Sequence, residues 1–176
     1  MKFTVPLPEG VYHNDKFYPI NTDFKTWIKI DELMNSSIVN ETEKTATILS
    51  LAYKSSFPEN IDSALAGILD FYTMYSPEAK VGFKKVYSFE KDASFIFSAF
   101  FTQYGIDLFE TDMHWWKFRA LFDAIDENTL FGKIVRYRAV NLEDIKDKSK
   151  KRFIRKMKQI YSLGQQENIA EALFAL

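Results

Sequence analysis

The sequence predicts a mainly α fold: a single-domain multi-helix bundle with a short N-terminal β-hairpin arm over 1–20, helices over 21–163, and a C-terminal tail over 164–176 that is either flexible or interface-forming. Three observations predict it. Apolar residues recur three and four positions apart in several separate stretches, which is the helical period. Asn, Asp, Thr, Pro and Gly punctuate those stretches where helix starts and stops need them. One stretch near the N-terminus instead alternates around a polar two-residue turn. A length of 176 residues suits one domain able to bury a core without a disulfide or metal.

The elements follow in order. In "EGVYHNDKFYPI", Val11 and Tyr12 form one arm, Phe17, Tyr18 and Ile20 the other, and Asn14-Asp15 the turn. Asn21 or Thr22 can then cap a helix carrying Phe24, Trp27, Ile28 and Met34 near one face. "NETEKTATILSLAYK" opens on Asn40 with Glu43 three positions on, close to a capping box, and Thr45, Ile48, Leu49 and Ala52 form its stripe. Pro58 can start the next helix, because its missing N–H costs nothing in a first turn. Its stripe is Ile61, Leu65, Ile68, Leu69 and Tyr72, and Ser76-Pro77 ends it. Over 78–88, with Val81, Gly82, Phe83 and Val86, a short strand and an irregular connection fit equally well.

"SFEKDASFIFSAFFTQYG" is the unusual helix, because Phe95, Ile96, Phe97, Ala99, Phe100 and Phe101 lie almost all the way round it. Such a helix must be covered on several sides, either centrally in the fold or by another subunit. Gly105 supplies its C-terminal glycine, followed by Ile106. Asp107 with Glu110, or Thr111, or Asp112 can cap the next helix, whose core-facing positions are Leu108, Trp115, Phe118, Phe122 and Ile125, with Trp116, Lys117 and Arg119 pointing elsewhere. "ENTLFGKIVRYRAV" gives a further helix with Phe131, Ile134, Val135 and Arg138 on related faces. Asn141, with Asp144 three positions on, can cap the basic segment, where Phe153, Met157, Ile160 and Tyr161 make a narrow apolar stripe. "SLGQQENIAEALFAL" breaks at Gly164.

Composition narrows the chemistry. The chain has no cysteine, which removes disulfides, thiolate metal sites and cysteine nucleophiles. Its two histidines, His13 and His114, lack metal-ligand spacing, so no metal site is expected. No GxSxG, GxxxxGK[ST] or GxGxxG pattern occurs, and six glycines leave little for phosphate-cradling loops, so neither an enzyme nor a cofactor is expected. No run approaches the ~18 apolar residues of a membrane span, and the N-terminus lacks the apolar core of a signal peptide. What stands out is 17 Phe, 9 Tyr and 3 Trp, an aromatic content that points to packing and protein contacts.

Charge is unevenly spread. From Lys133 to Lys158 there are 11 Lys/Arg against three acidic residues, a net +8, leaving −9 over the rest of the chain. A basic amphipathic segment on an acidic body suits an acidic protein partner or another copy of the chain; nucleic acid is the less favoured partner, and the apolar face is too small for stable membrane binding. The candidate interaction residues are therefore Trp116, Lys148, Lys151, Arg152 and Arg155, with Phe174 in the apolar end "ALFAL".

The stretch from Tyr87 to Leu163 carries "FEKDASFIFSAF", "QYGIDL", "HWWKFRAL", "NTLFGKIVRYR" and "IKDKSKKRF" in that order, and resembles the gene-product-fifteen family of tailed bacteriophages. The resemblance implies an origin in a phage or prophage tail-morphogenesis cluster, near the genes for the tail tube and the tape-measure protein. By analogy it implies a tail assembly chaperone that coats the tape-measure protein in the host bacterial cytoplasm and is absent from the mature virion. The tape-measure protein, the tail tube protein and further copies of the chain are the implied partners. A structural head–tail connector or tail-completion protein, and a nucleic-acid-binding accessory protein using the basic helix, are the competing readings. No catalytic residue carries over from the family.

Overall fold

The computed structural model describes residues 4–36, 40–75 and 86–163. Among them are seven α-helices and one two-stranded antiparallel hairpin, the mainly α fold with an N-terminal hairpin that the periodicity predicts. The chain falls into two compact units: Met1–Phe83 with Asp112–Asp123, and Lys84–Thr111 with Ala124–Leu176.

In unit 1, β1 (Gly10–His13) pairs with β2 (Lys16–Pro19), Val11 opposite Tyr18 and Tyr12 opposite Phe17. Asn14 (φ 48°) and Asp15 (φ 58°) both take the left-handed conformation that a two-residue hairpin turn requires, and both residue types tolerate it. Val11 and Tyr18 are buried, whereas the other face leaves Tyr12 75% exposed with its ring 5.2 Å from that of Phe17.

α1 (Phe24–Asn35) is capped by Asp23, whose carboxylate accepts from Thr26 N at 3.1 Å. Of the two expected caps, the Asn21 side chain is committed elsewhere and Thr22 is tied to α5 through its backbone. The Asn21 amide donates to Leu51 O, its carbonyl accepts from Trp27 Nε1 at 2.7 Å, and Thr22 O accepts from Trp115 N at 2.6 Å. The buried face of α1 is Phe24, Trp27, Ile30 and Asp31, with Ile28 and Met34 only half-buried. α2 (Glu41–Ala52) starts at Asn40 as expected, the Asn40 side chain accepting from Thr42 N, and buries Ile48, Leu49 and Ala52.

α3 (Ile61–Tyr72) is capped by Asn60, so Pro58 lies before the helix, where it is fully buried. Its buried residues are Ala64, Ile68 and Phe71, while Ile61 and Leu69 are exposed. The stripe is rotated because small residues are what the hairpin side demands: the Tyr53 hydroxyl donates to Ala64 O at 2.9 Å, and a Cβ on Gly67 would lie 3.1 Å from both Tyr53 Oη and Val11 Cγ2. The expected stop at Ser76-Pro77 and most of the undecided segment, 78–85, lie outside the described residues; 86–88 form no helix or strand.

α5 (Trp115–Asp123) starts later than expected and uses none of Asp107, Thr111 or Asp112 as its cap. His114 does that work, its Nδ1 accepting from Trp116 N at 3.0 Å while Nε2 lies 3.0 Å from Pro8 O. Phe24 N donates to Met113 O at 2.9 Å, and with the Trp115–Thr22 bond this fixes α5 against the start of α1. The core is a chain of rings: Phe24 on Phe118 at 4.8 Å, Trp27 on Phe71 at 4.8 Å, and Trp115 on Tyr72 at 5.3 Å.

In unit 2, α4 (Ala93–Tyr104) ends on Gly105 in the left-handed conformation (φ 67°), with Gly105 N donating to Phe101 O at 3.0 Å. The glycine stop stands as predicted. Asp107 then accepts from Phe109 N at 2.9 Å and holds the following turn. α6 (Leu130–Ala139) is capped by Thr129 and buries Phe131 and Ile134. Asn141 caps only a 3-10 turn over Leu142–Asp144, and Asp147 caps α7 (Lys148–Ile160) through Lys150 N at 2.6 Å.

Candidate protein-interaction surfaces

α7 sorts the predicted basic residues by face. Ile154 is its buried residue, and at 100° per position the opposite side carries Lys148, Arg152, Arg155 and Lys156. All four are exposed, and none has an acidic partner among the described residues. Lys151 lies nearer the buried side, half-buried, with Nζ 3.7 Å from a Glu143 carboxylate oxygen. Phe153, expected in the inward stripe, is 51% exposed and touches Tyr137 edge-on at 6.0 Å. The structure thus brings Lys148, Arg152 and Arg155 together on one outer face, sets Lys151 apart, and moves Phe153 to the flank of that face.

Trp116 is corrected from an outward to an inward position. It is 7% exposed, its Nε1 donates to Phe71 O at 3.0 Å, and its ring contacts Phe71 and Tyr75 at 5.7 Å. Trp115 Nε1 finds Tyr72 O at 3.0 Å, so the C-terminal end of α3 offers consecutive carbonyls to consecutive indoles. That is why both tryptophans can be inside when periodicity permits only one. Phe174 lies outside the described residues.

Arg138 is the strongest polar feature of unit 2. Its guanidinium donates to both Asp92 carboxylate oxygens, at 2.6 and 2.9 Å, and to Val86 O at 3.1 Å, while Nε donates to Tyr161 O. The Asp92 side chain is fully buried and that of Arg138 is 8% exposed. A forked, hydrogen-bonded pair of this kind fastens α6 to the start of α4 and to the end of α7, and so fixes where the cationic face projects.

Three exposed apolar features were not named from sequence. Tyr12 and Phe17 pair on the outer side of the hairpin. Phe97, Phe101 and Phe109 form a cluster in unit 2, with Phe101 54% and Phe109 75% exposed. A groove of about 540 Å³ in unit 1 is lined by Thr42, Thr45, Ala46, Leu49, Phe57 and Ile61. The signal for the groove was present in "TATILS", where Thr, Ala and Ser occupy one side of α2 and leave room over it. Among the described residues, no helix is long and apolar enough to cross a membrane.

Burial shifts the titration of Tyr53 and His114 in unit 1. Burial pushes the Tyr53 phenol up to about 12, with Tyr18 and Tyr75 nearby adding to the shift. Burial lowers the His114 imidazole, Lys117 lowers it further, and the bonded Pro8 carbonyl and Glu9 oppose that. The two His114 contacts assign the proton to Nε2, leaving Nδ1 as the acceptor that caps α5.

No curated protein and no solved structure matches the chain. A family model described as Bacteriophage Gp15 protein matches residues 4–163, which extends the similarity from the Tyr87–Leu163 motifs through the hairpin and the first three helices. The chain belongs to the Bacteriophage Gp15 protein family.

Proposed function

We propose that this phage protein is a tail assembly chaperone that binds the tape-measure protein and keeps it soluble while tail tube subunits assemble around it. Family membership supplies the phage context, and the observation that carries the reading is the aromatic and aliphatic surface left exposed on unit 1: Tyr12, Phe17, Phe57 and Ile61 are each at least 39% exposed. A long helical client with an apolar stretch needs a partner that covers it before polymerisation begins. The groove between α2 and α3 is open, apolar and lined by small side chains, which suits the apolar face of a client helix. The reading gives the chain no reaction to catalyse and requires no cofactor.

A chaperone acts in the host cytoplasm and leaves before the particle is complete. Mass spectrometry of purified virions against infected-cell lysate tests this. The expected result is abundant protein in the lysate and none in the virion. A fixed copy number per virion would instead identify a connector or completion protein.

A further inference from the structure

Unit 2 carries two exposed surfaces of opposite character. On α4, Phe97 and Phe101 stack one turn apart with ring centroids at 5.9 Å, and Phe109 from the following turn lies on Phe97 at 5.2 Å. The charged residues flanking Phe109 in the chain are Asp107 and Glu110, the C-terminal end of α4 adds carbonyl partial negative charge, and no Lys or Arg occurs in the sequence between Asp92 and Trp116. The outer face of α7 is the reverse: Lys148, Arg152, Arg155 and Lys156, with Phe153 51% exposed on its flank.

The cationic face repels its own likeness, and the two surfaces complement each other in charge. Arginine guanidinium groups also favour the faces of aromatic rings, and the α4 patch offers three phenylalanine rings. We propose that copies of this chain associate head to tail, the cationic outer face of α7 in one copy seating on the Phe97–Phe101–Phe109 patch of the next. Phe153 enters the aromatic patch, Arg152 and Arg155 meet phenylalanine faces and the Asp107 and Glu110 carboxylates, and the helix that is aromatic nearly all the way round gains its missing cover. Because the contact joins two different surfaces, every copy keeps one of each, and assembly continues past the dimer into a ring or filament. This inference stands independently of the tape-measure reading.

Sedimentation velocity of the full chain over a range of concentrations, in about 50 mM and about 500 mM salt, tests it. The parent forms species larger than a dimer at low salt, and these dissociate at high salt. Phe101→Ser/Phe109→Ser and Arg152→Glu/Arg155→Glu, all at exposed positions and each checked for helical content, should self-associate at least about tenfold more weakly. An equimolar mixture of the two variants forms a heterodimer and nothing larger, since one retains an intact α7 and the other an intact aromatic patch. A parent that is monomeric throughout, oligomers indifferent to salt, a variant that assembles like the parent, or a mixture that stays monomeric each overturns the proposal. So does a monomeric parent whose α7 binds a short DNA duplex and loses it in Arg152→Glu/Arg155→Glu, which would assign the cationic face to nucleic acid.

Discussion

Arg138 shows how much one side chain can hold. Its guanidinium satisfies both oxygens of a fully buried Asp92 and two backbone carbonyls, so removing it leaves a carboxylate without a counter-ion in the interior of unit 2. Arg138→Met should cost about 3–5 kcal/mol in urea unfolding, and pairing it with Asp92→Leu should recover part of that loss. A single-variant cost below about 1 kcal/mol would show that the pair does not organise the unit. His114 gives a pH signature in unit 1. Its folded pKa lies below the ordinary value of 6.5, so as pH falls past 6.5 the unfolded chain takes up the proton first. The stabilisation is complete above that pH and is lost as pH drops toward the depressed folded value, where protonation removes the Nδ1 acceptor from Trp116 N. Urea midpoints between about pH 7 and pH 5 should fall more steeply for the parent than for His114→Asn, which can still cap α5; equal slopes would remove His114 as the cause.

At the scale of elements, glycines and caps decide where helices run. A Cβ on Gly132 would sit 2.5 Å from Asp126 O and 2.7 Å from Glu127 Cα, so Gly132→Ala should destabilise by about 1–3 kcal/mol despite the better helix propensity of alanine. Gly105→Ala meets no atom within 4 Å and should lose only the conformational advantage of its φ of 67°, about 1 kcal/mol. Thermal unfolding that ranks these two the other way would contradict the packing described around the start of α6. The hairpin turn, the Asn40 cap and the Gly105 stop were legible in the sequence because each is decided by its own few residues. The starts of α1, α3, α5 and α7 were not, since each is preceded by several side chains able to cap, and at α1 and α5 candidates are engaged in other bonds. Asn21 is held by Leu51 O and Trp27. Asp107 is held by its own turn. The rotated face of α3 was hidden for a related reason: Ala64 and Gly67 carry almost no hydrophobic signal, yet the hairpin needs them small. Of the candidate surface, the cationic residues could be named from the chain, but their sorting by Ile154 and the inward turn of Trp116 required the carbonyls and packing partners of other elements.

At the scale of the whole molecule, a net charge of −1 conceals a +8 segment and a −9 remainder, and the exposed cations of α7 belong to the former. Such a distribution makes any self-association salt-sensitive while leaving the apolar groove on α2 and α3 available to a client. The two contacts are therefore separable by mutation: Ala46→Glu with Phe57→Ser should abolish client binding and leave self-association unchanged, because these positions are exposed and line the groove. The most direct measurement is the soluble fraction of the tape-measure protein of the same phage when it is co-expressed with this chain. The parent should bring the tape-measure protein into the soluble fraction and co-purify with it, and Ala46→Glu/Phe57→Ser should not. A tape-measure protein that aggregates to the same extent with and without the parent would contradict the chaperone account.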